Sequence, residues 1–433
     1  MLPLVTSASD ERELSKRLEA ARQLYNAALG ESFRRLALMR QSKNWQLARA
    51  MKKGDVRSVV FKQVALQFNF NEYSLHSYIA KCRNGSDALK QHIDSQTAKH
   101  IAKRAFDTVQ KYCFGKIGRP KFKRFRALES VESVNNTQGI VWKNGKVTWN
   151  TTTGKTHILS LAVRLEKREK AEYQNTALEC RTKFCRIIRK TLKGRDRWYV
   201  QLIQEGVPPT AGRKIGSEVV GLDIGPSTVA IVSESSAILR DLCPRVEPFQ
   251  KEKRRLQRAM DRSKRATNPD NYEANGKAKN GAHKWIKSRR YINQKFKVAE
   301  QERRLAAERK RSHGELTNQI LALGNQIKTE KLSYKSFQKN FGRSVKKQAP
   351  GMFVEMLRRK ADAAGGCVDE FSTYSTKLSQ TCHGCGSVKK KRLSLRIHEC
   401  DCGIGPVQRD LYSAFLARHV RADKLDANQA TLA

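Results

Sequence analysis

Four cysteines near the carboxyl end of this chain stand as two close pairs, Cys382-His-Gly-Cys385 and Cys400-Asp-Cys402. Four thiolates in that arrangement are what one tetrahedral zinc ion requires. Gly384, Gly386 and Gly403 let each pair turn tightly around a metal. The 14 residues between the pairs, 386 to 399, suit a small hairpin. With four thiolates filling the shell, His383 and His398 read as exposed bystanders rather than ligands. Lys389, Lys390, Lys391 and Arg392 fall at the hairpin tip, where phosphate contact is the expected use.

Three acids carry the second possible chemistry. Asp223 lies in an apolar strand beside Val219, Val220, Leu222 and Ile224. A carboxylate there is costly unless it meets a cation or a partner. Glu330 ends a short strand, and Asp410 opens the last helix, eight residues past Cys402. Alone, each has an ordinary reading: a cap on the Gly225 turn, an exposed strand-end acid, and an acid favoured by a helix dipole. Together, three acids at element ends within one α/β domain suit two Mg²⁺ ions held by carboxylates and phosphate oxygens. Such a pair activates a water and stabilises the leaving oxygen in phosphodiester hydrolysis.

Charge points the same way. Lys plus Arg is 86 and Asp plus Glu is 41 in 433 residues, a net +45. That excess predicts a polyanionic partner, nucleic acid by default. A membrane surface is the competitor, but no apolar run approaches the roughly 18 residues of a spanning helix, and no signal peptide or lipidation motif is seen. A hydrophobic content of 39% calls for folded domains. The compartment expected is reducing, so Cys82, Cys113, Cys180, Cys185, Cys243 and Cys367 read as small buried hydrophobes.

The elements that must position these residues fall in order. Residues 3–6 form a short strand. From about Asp10 to Thr108 the pattern is helical: Leu14, Leu18, Ala21, Leu24, Tyr25 and Leu29 recur at helical spacing, with Ser7 or Ser9 as the cap. The stretch 118–126 interleaves Phe122 and Phe125 with Arg119, Lys121, Lys123, Arg124 and Arg126. It suits backbone neutralisation, with the aromatics either stacking on bases or packing inward as one face of a strand. Strands are expected at 139–142, 146–149, 157–162, 181–190 and 197–204, with turns at Asn144-Gly145, Thr153-Gly154 and Lys193-Gly194. Together 115–206 read as a β-rich module, a small barrel that the first strand can join.

Pro208, Pro209, Gly212 and Gly216 mark a linker. Strands at 219–225, 228–233 and 237–240 then open a domain with an acid in the first, as an RNase H-like fold begins. A basic helical region spans 246–323, broken at 266–282. Its Arg254, Arg255, Arg258, Arg289 and Arg290 are expected to follow a phosphate backbone. Gly324 reads as the C-cap of that helix. A strand at 326–330, a helix over Met352–Ala364 and a strand over Cys367–Phe371 follow; 421–433 reads as a frayed tail. The expected class is multidomain α+β: an N-terminal helical lobe with a β-barrel-like module, then an RNase H-like α/β domain carrying a zinc-ribbon-like knuckle.

The runs Gly221-Leu-Asp223-Ile-Gly225, Thr329-Glu330-Lys-Leu332, Ser379-Gln-Thr-Cys382-His-Gly-Cys385-Gly386, Cys400-Asp-Cys402-Gly403 and Arg409-Asp410 resemble the TnpB family. These are transposon-associated RNA-guided nucleases related to compact type V CRISPR effectors. Gly118-Arg-Pro-Lys-Phe-Lys123 is similar to that family too. The resemblance covers mainly 115–126 and 217–420. It implies a RuvC nuclease split into three segments, with Asp223, Glu330 and Asp410 as catalytic acids on two Mg²⁺ ions. It implies a wedge module made of 1–9 and 115–212 that grips the guide scaffold and reads a short DNA motif. A helical recognition lobe at 10–114 would hold the guide–target hybrid. RuvC segments I and II would be 213–378, and a zinc-bearing, target-nucleic-acid-binding insert 379–405. Segment III would be 406–422 and a tail 423–433. A guide RNA and double-stranded DNA would be the partners, self-association is open, and the setting would be a prokaryotic cytoplasm beside the nucleoid.

The third segment departs from the family's Asp-Arg-Asp-x-Asn-Ala-Ala. It reads Gln408-Arg409-Asp410-Leu411-Tyr412-Ser413-Ala414, and Lys331 stands where an acid is common after the second-segment glutamate. Gln408 loses a charge, and Tyr412 replaces a short amide expected near the metals. Three functions therefore follow from the sequence: an RNA-guided endonuclease, an RNA-guided DNA-binding repressor with a weakened site, and a guide-free structure-selective nuclease.

Overall fold

The computed structural model describes residues 1–151, 158–165, 171–206, 215–281, 283–392, 394–427 and 430. The Thr153-Gly154 turn and the Pro208-Pro209-Gly212 linker lie outside them. The chain divides into two compact units, Met1–Val207 and Pro208–Ala433.

The first unit begins with strand β1 (Leu2–Val5) and a 34-residue helix α1 (Ala8–Gln41). Ser7 starts that helix with a capping box: its Oγ accepts the Asp10 amide at 3.1 Å, and the Asp10 carboxylate accepts the Ser7 amide at 2.8 Å. Leu14, Leu18, Ala21, Leu24 and Ala28 line the buried face of α1. Five more helices follow: α2 (Lys43–Ala50), α3 (Asp55–Gln67), α4 (Glu72–Asn84), α5 (Asp87–His92) and α6 (Ser95–Cys113). Helices α4 and α6 pack on α1.

The rest of this unit is mainly sheet: β2 (Ser130–Glu132), β3 (Ile140–Lys143), β4 (Lys146–Trp149), β5 (Leu159–Val163), β6 (Thr182–Leu192) and β7 (Arg195–Gln204), with α7 (Ala171–Glu179) before β6. The strand order is β2-β6-β7-β1-β5-β4-β3, so β1 sits at the centre. Its edges nearly close through the side chain of Asn136. That amide accepts the Trp142 backbone N–H at 2.7 Å and donates to the Trp142 carbonyl at 3.1 Å, while the Cys185 thiol of β6 donates to it at 3.3 Å.

A buried polar node joins helices to sheet. Asp94 Oδ1 caps α6 by accepting Thr97 N–H at 2.8 Å, and its Oδ2 accepts the Trp149 indole N–H at 2.9 Å. Arg17 of α1 donates to the Trp149 carbonyl at 2.7 Å and lies over the same indole. Residues 118–126 form no strand; they run as coil along α1. There the Asn26 side chain pairs with the Lys123 backbone at 2.8 and 2.9 Å. Phe122 touches Gly30 yet stays 58% exposed, and Phe125 is 71% exposed. Packing therefore claims little of either ring.

The second unit holds a five-stranded sheet: β8 (Glu218–Ile224), β9 (Thr228–Val232), β10 (Ala237–Asp241), β11 (Gly324–Glu330) and β12 (Cys367–Phe371), in the order β10-β9-β8-β11-β12. The first three strands are antiparallel, and β11 and β12 run parallel to β8. Between β10 and β11 stand α8 (Glu247–Thr267) and α9 (Arg289–Leu323). Between β11 and β12 lie α10 (Tyr334–Gln348) and α11 (Pro350–Ala363), and α12 (Thr373–Thr376) follows β12. Val220, Leu222, Ile224, Val229 and Ile231 face α9 and α11. Ala230, Val232 and Phe371 face the opposite way, onto α13 (Arg409–Arg418), which follows the short strands β13 (Ile397–His398) and β14 (Val407–Gln408). A sheet buried on both faces explains why β8 reads as a nearly continuous apolar run.

Gly324 is the C-cap of α9, its N–H donating to the Ile320 carbonyl, and in extended conformation it also starts β11, so helix passes straight into strand. Two expectations need correction. The supposed tail folds back as a hairpin, β15 (Val420–Arg421) and β16 (Lys424–Leu425), and Ala430 is buried. Of the scattered cysteines only Cys185 and Cys243 are buried; Cys82, Cys113 and Cys180 are half-buried, and Cys367, on the edge strand β12, is exposed. Among the described residues, no helix is long and apolar enough to cross a membrane.

Asp94→Ala removes a helix cap and orphans a buried indole N–H. It should destabilise the first unit by about 2–3 kcal/mol, read as a lower urea midpoint in tryptophan fluorescence. Asp94→Asn should recover only part of that loss, because its single amide oxygen cannot accept from both the Thr97 N–H and the indole.

Candidate active site

Strand alternation decides where the acids point. Val220, Leu222 and Ile224 face one core, so Gly221 and Asp223 face the other side, where α13 lies. In the parallel pair β8–β11, Leu222 sits opposite Thr329. One residue further along each strand stand Asp223 and Glu330. Helix α13 crosses the sheet so closely that a Cβ on Gly221 would fall 1.9 Å from the Ala414 carbonyl oxygen. Only glycine permits that approach. The crossing brings Asp410, in the first turn of α13, to the same strand ends.

The far end of α13 is pinned as well. Lys328, on the same face as Glu330, donates to the carbonyls of Arg418 at 3.0 Å and Val420 at 2.7 Å. A lysine there satisfies free helix carbonyls and complements the dipole. Arg418 in turn donates to the Val219 carbonyl at 3.1 Å. Gln408 caps the near end, its Oε1 accepting the Leu411 N–H at 2.6 Å.

Asp223 feels the charge of both other acids. Burial raises the Asp223 carboxyl to about 8, and the charges of Glu330 and Asp410 add to the rise. Burial alone raises Glu330 to about 7. Asp223 is thus the acid placed against both others. Asp410 is ion-paired instead, with Arg396 at 3.3 Å and Arg409 at 3.4 Å. Carboxylates held near neutral pH and short of counter-charge are the expected donor set for hard cations. Asp223 and Glu330 fit a Mg²⁺ site on that ground, and Asp410, turned from its arginines, could complete the donor set.

Sulfur chemistry sits beside it. The Sγ atoms of Cys382, Cys385, Cys400 and Cys402 all lie within 4.8 Å of one another, the one such cluster among the described residues. Cys382–Cys402 and Cys385–Cys400 are each 3.5 Å apart. Thiolates around a tetrahedral zinc stand about 3.8 Å apart, so the cluster fits that ion. Each pair closes a tight turn: Gly386 N–H donates to the Cys382 carbonyl at 2.9 Å, and Gly403 N–H to the Cys400 carbonyl at 3.0 Å.

His383 and His398 are not exposed bystanders. His398 is buried and stacks on Tyr412 with ring centroids 4.0 Å apart. His383 donates its backbone N–H to the Tyr412 hydroxyl at 3.0 Å, and its Nδ1 lies 2.7 Å from the same oxygen. Burial keeps the His383 pKa below its ordinary value, so a neutral ring can accept the tyrosine proton there. Both histidines clamp α13 from the knuckle side. Tyr412 therefore points at the cysteines, away from the acids.

The basic residues named from sequence divide. Arg119, Lys121, Arg124, Arg126, Arg254, Arg255, Arg258, Arg289, Arg290, Lys390 and Arg392 are exposed, although Arg126 pairs with Asp196 and Arg255 with Glu252. Lys123 is half-buried over Tyr25, Lys389 pairs with Asp401, and Lys391 lies against His398 Nδ1. Lys123 and Lys391 are half-buried, whereas Lys389 is exposed. Sequence reasoning missed Arg396, whose side chain is 64% exposed beside Asp410; nothing in its local pattern sets it apart from its basic neighbours.

Comparison with known proteins now adds a class. Residues 351–415 match the family model described as Cas12f1-like, TNB domain, a span from α11 through both cysteine pairs into α13. Among solved structures, a chain of a Cas12f1–sgRNA–target DNA complex superposes with a TM-score of 0.53 and 12% identity, covering 93% of this chain and 81% of that one. This is a likeness of fold. A chain of a CRISPR-Cas12f ternary complex aligns at a TM-score of 0.33 and 13% identity over 95% of this chain and 82% of that one, too loosely to argue from. No curated protein matches. The matched domain and the shared fold agree with the resemblance to compact type V effectors read from the motifs.

The raised carboxyl of Asp223 has a stability consequence. Its folded pKa, about 8, exceeds its unfolded value of 3.8, so the folded state holds the proton more tightly. The metal-free protein should therefore lose stability as pH rises from about 4 to 8. Asp223→Asn should raise Tm by several degrees at pH 8 in EDTA, at roughly 2–4 °C per kcal/mol, and change little at pH 4. Thermal scans at both pH values check this. Gly221→Ala should push α13 off the sheet and lower Tm under all these conditions.

Proposed function

We propose that this chain is an RNA-guided DNA endonuclease with a RuvC-type catalytic domain. The observation that carries the reading is the meeting of Asp223, Glu330 and Asp410 on one face of the β10-β9-β8-β11-β12 sheet, two of them with strongly raised pKa values. That strand order, with three antiparallel strands extended by parallel ones, supports an RNase H-like domain interrupted by the cysteine knuckle. The Cas12f1 chain of the same fold is in complex with an sgRNA and target DNA, which supports a guide RNA and duplex DNA as partners here. The exposed basic strip at 118–126 and the net charge of +45 agree with both.

In this reading 10–114 forms the recognition lobe, and 1–9 with 115–212 the wedge. The nuclease is 213–378 with 406–422, and 379–405 is a zinc-bearing target-strand insert. Two Mg²⁺ ions would supply an activated water and charge neutralisation at the leaving oxygen. Asp223, facing both other acids, would be one of the residues that hold the ions. Glu330 and Asp410 complete the donor set from the next strand and from the helix. Arg396 pairs with Asp410 in the metal-free state, and its exposed guanidinium can turn to a phosphate once Asp410 is engaged by a cation.

The departures at Gln408 and Tyr412 support cleavage over a silent, repressor-like site. Gln408 spends its side chain capping α13, and Tyr412 packs under the knuckle. Neither takes a donor from the three acids.

Plasmid cleavage by the guide-loaded protein in Mg²⁺ tests the proposal. Double-strand breaks should require the guide, and Asp410→Ala or Asp223→Ala should lower the rate by about 10³-fold or more, a loss of some 4 kcal/mol in the barrier. Tight guide-dependent binding without cutting would sink the endonuclease reading and leave the repressor. Cation binding requires Asp223 and Glu330 to shed protons, so at limiting Mg²⁺ the rate should climb between pH 6 and 8. Added Mg²⁺ should move that profile to lower pH.

A further inference from the structure

We propose that Tyr412 is a positioning residue that couples zinc occupancy of the cysteine knuckle to the Mg²⁺ affinity of the carboxylate site, an inference that rests on the nuclease reading of that site. Tyr412 is 1% exposed and lies two residues beyond Asp410 on α13. On a helix that spacing turns the side chain about 200° away. One residue faces the acids, and the other faces the sulfurs.

The clamp on Tyr412 comes from both cysteine loops. His383 lies between Cys382 and Cys385, and it holds the hydroxyl through its backbone N–H and its ring. His398 lies two residues before Cys400 and covers the tyrosine ring at 4.0 Å, 29° from parallel. A tetrahedral metal is what fixes these two loops to each other. With it bound, the ring is gripped from two sides, and the rotation of α13 about its own axis is set. That rotation places Asp410 relative to Asp223 and Glu330. Without the metal the loops lose their common centre, and the grip loosens.

The other links between knuckle and helix are weaker candidates. Arg409 N–H donates to the Arg396 carbonyl at 2.8 Å, and Arg409 Nη1 to the Arg392 carbonyl at 3.2 Å. Both hold the entry to α13, at its near end. Arg396 reaches Asp410 only through an exposed side chain. An asparagine at 412, as in the related motif, is too short to be gripped in the same way. The tyrosine therefore gives this chain a coupling that its own knuckle geometry supports. Linkage makes the effect mutual: zinc raises Mg²⁺ affinity, and Mg²⁺ raises zinc affinity, by one factor.

The test is a calorimetric Mg²⁺ titration of the RNA-free full chain, with Asp410→Ala as the blank, for wild type and Tyr412→Phe, each zinc-loaded and zinc-stripped. Tyr412→Phe keeps the ring but removes the hydroxyl held by His383. The expected result is about tenfold weaker Mg²⁺ binding for the variant and for the stripped wild type, the scale of a lost buried hydrogen-bond pair. Stripping the variant should add little. Zinc release to a chromogenic chelator should be faster in the variant by a similar factor. DNA affinity of the guide-loaded, zinc-loaded variant without added Mg²⁺ should be unchanged, which a merely structural role would not preserve. Mg²⁺ affinity indifferent to zinc and to Tyr412→Phe, or losses that simply add, would overturn the coupling. A wild type with no Asp410-dependent Mg²⁺ binding would overturn the nuclease reading with it. If Tyr412→Phe does not fold, His383→Ala removes the ring acceptor and carries the same expectations.

Discussion

The approach of α13 to β8 is the constraint on which the second unit depends. At Gly221 the helix backbone lies directly on the strand, with no room for a side chain. That closeness carries Asp410 to the ends of β8 and β11. It also brings three like charges onto one sheet face, which is unfavourable in a metal-free protein. The surrounding structure offsets that cost: the sheet is buried on both faces, Lys328 and Arg418 pin the helix end, and Arg396 and Arg409 pair with Asp410. The raised pKa values of Asp223 and Glu330 suit the cation site proposed for them.

Around that contact, each neighbouring element has a mechanical part. The cysteine knuckle is joined to α13 by a buried tyrosine and two histidines. The two acid-bearing strands are held in parallel register, which fixes Asp223 and Glu330 side by side. The first unit follows a different logic. Its nearly closed sheet and its helices meet at the buried Asp94–Trp149–Arg17 node. Phe122 and Phe125 remain exposed within a basic strip anchored to α1 by Asn26, an arrangement suited to stacking and backbone neutralisation.

Much of this was legible before any coordinates. Alternation and turn residues located β4 at 146–149 and β12 at Cys367–Phe371, because local period and breakers dominate in short strands. Ser7 or Ser9 announced the start of α1, and Ser7 takes the cap, since a cap is a local device. The cysteine pairs announced a metal cluster for the same reason: chelation by adjacent loops is written in spacing. The polar sides of His383 and His398 were misread. Their burial comes from Tyr412 and Phe415, more than a dozen residues downstream on the helix for the nearer histidine. The 118–126 stretch was open to a strand reading, yet its backbone is captured by Asn26 from a distant helix.

The sequence by itself determined most of the elements, the four thiolates and the identity of three unusual acids, because these depend on neighbours along the chain. Tertiary structure alone decided that Gly221 must be glycine, that Tyr412 turns to the sulfurs while Asp410 turns to the sheet, and that Arg396 stands beside an acid. Each of those is a contact between segments far apart in sequence. Such contacts follow from how closely one backbone can lie upon another, and no local pattern records that distance.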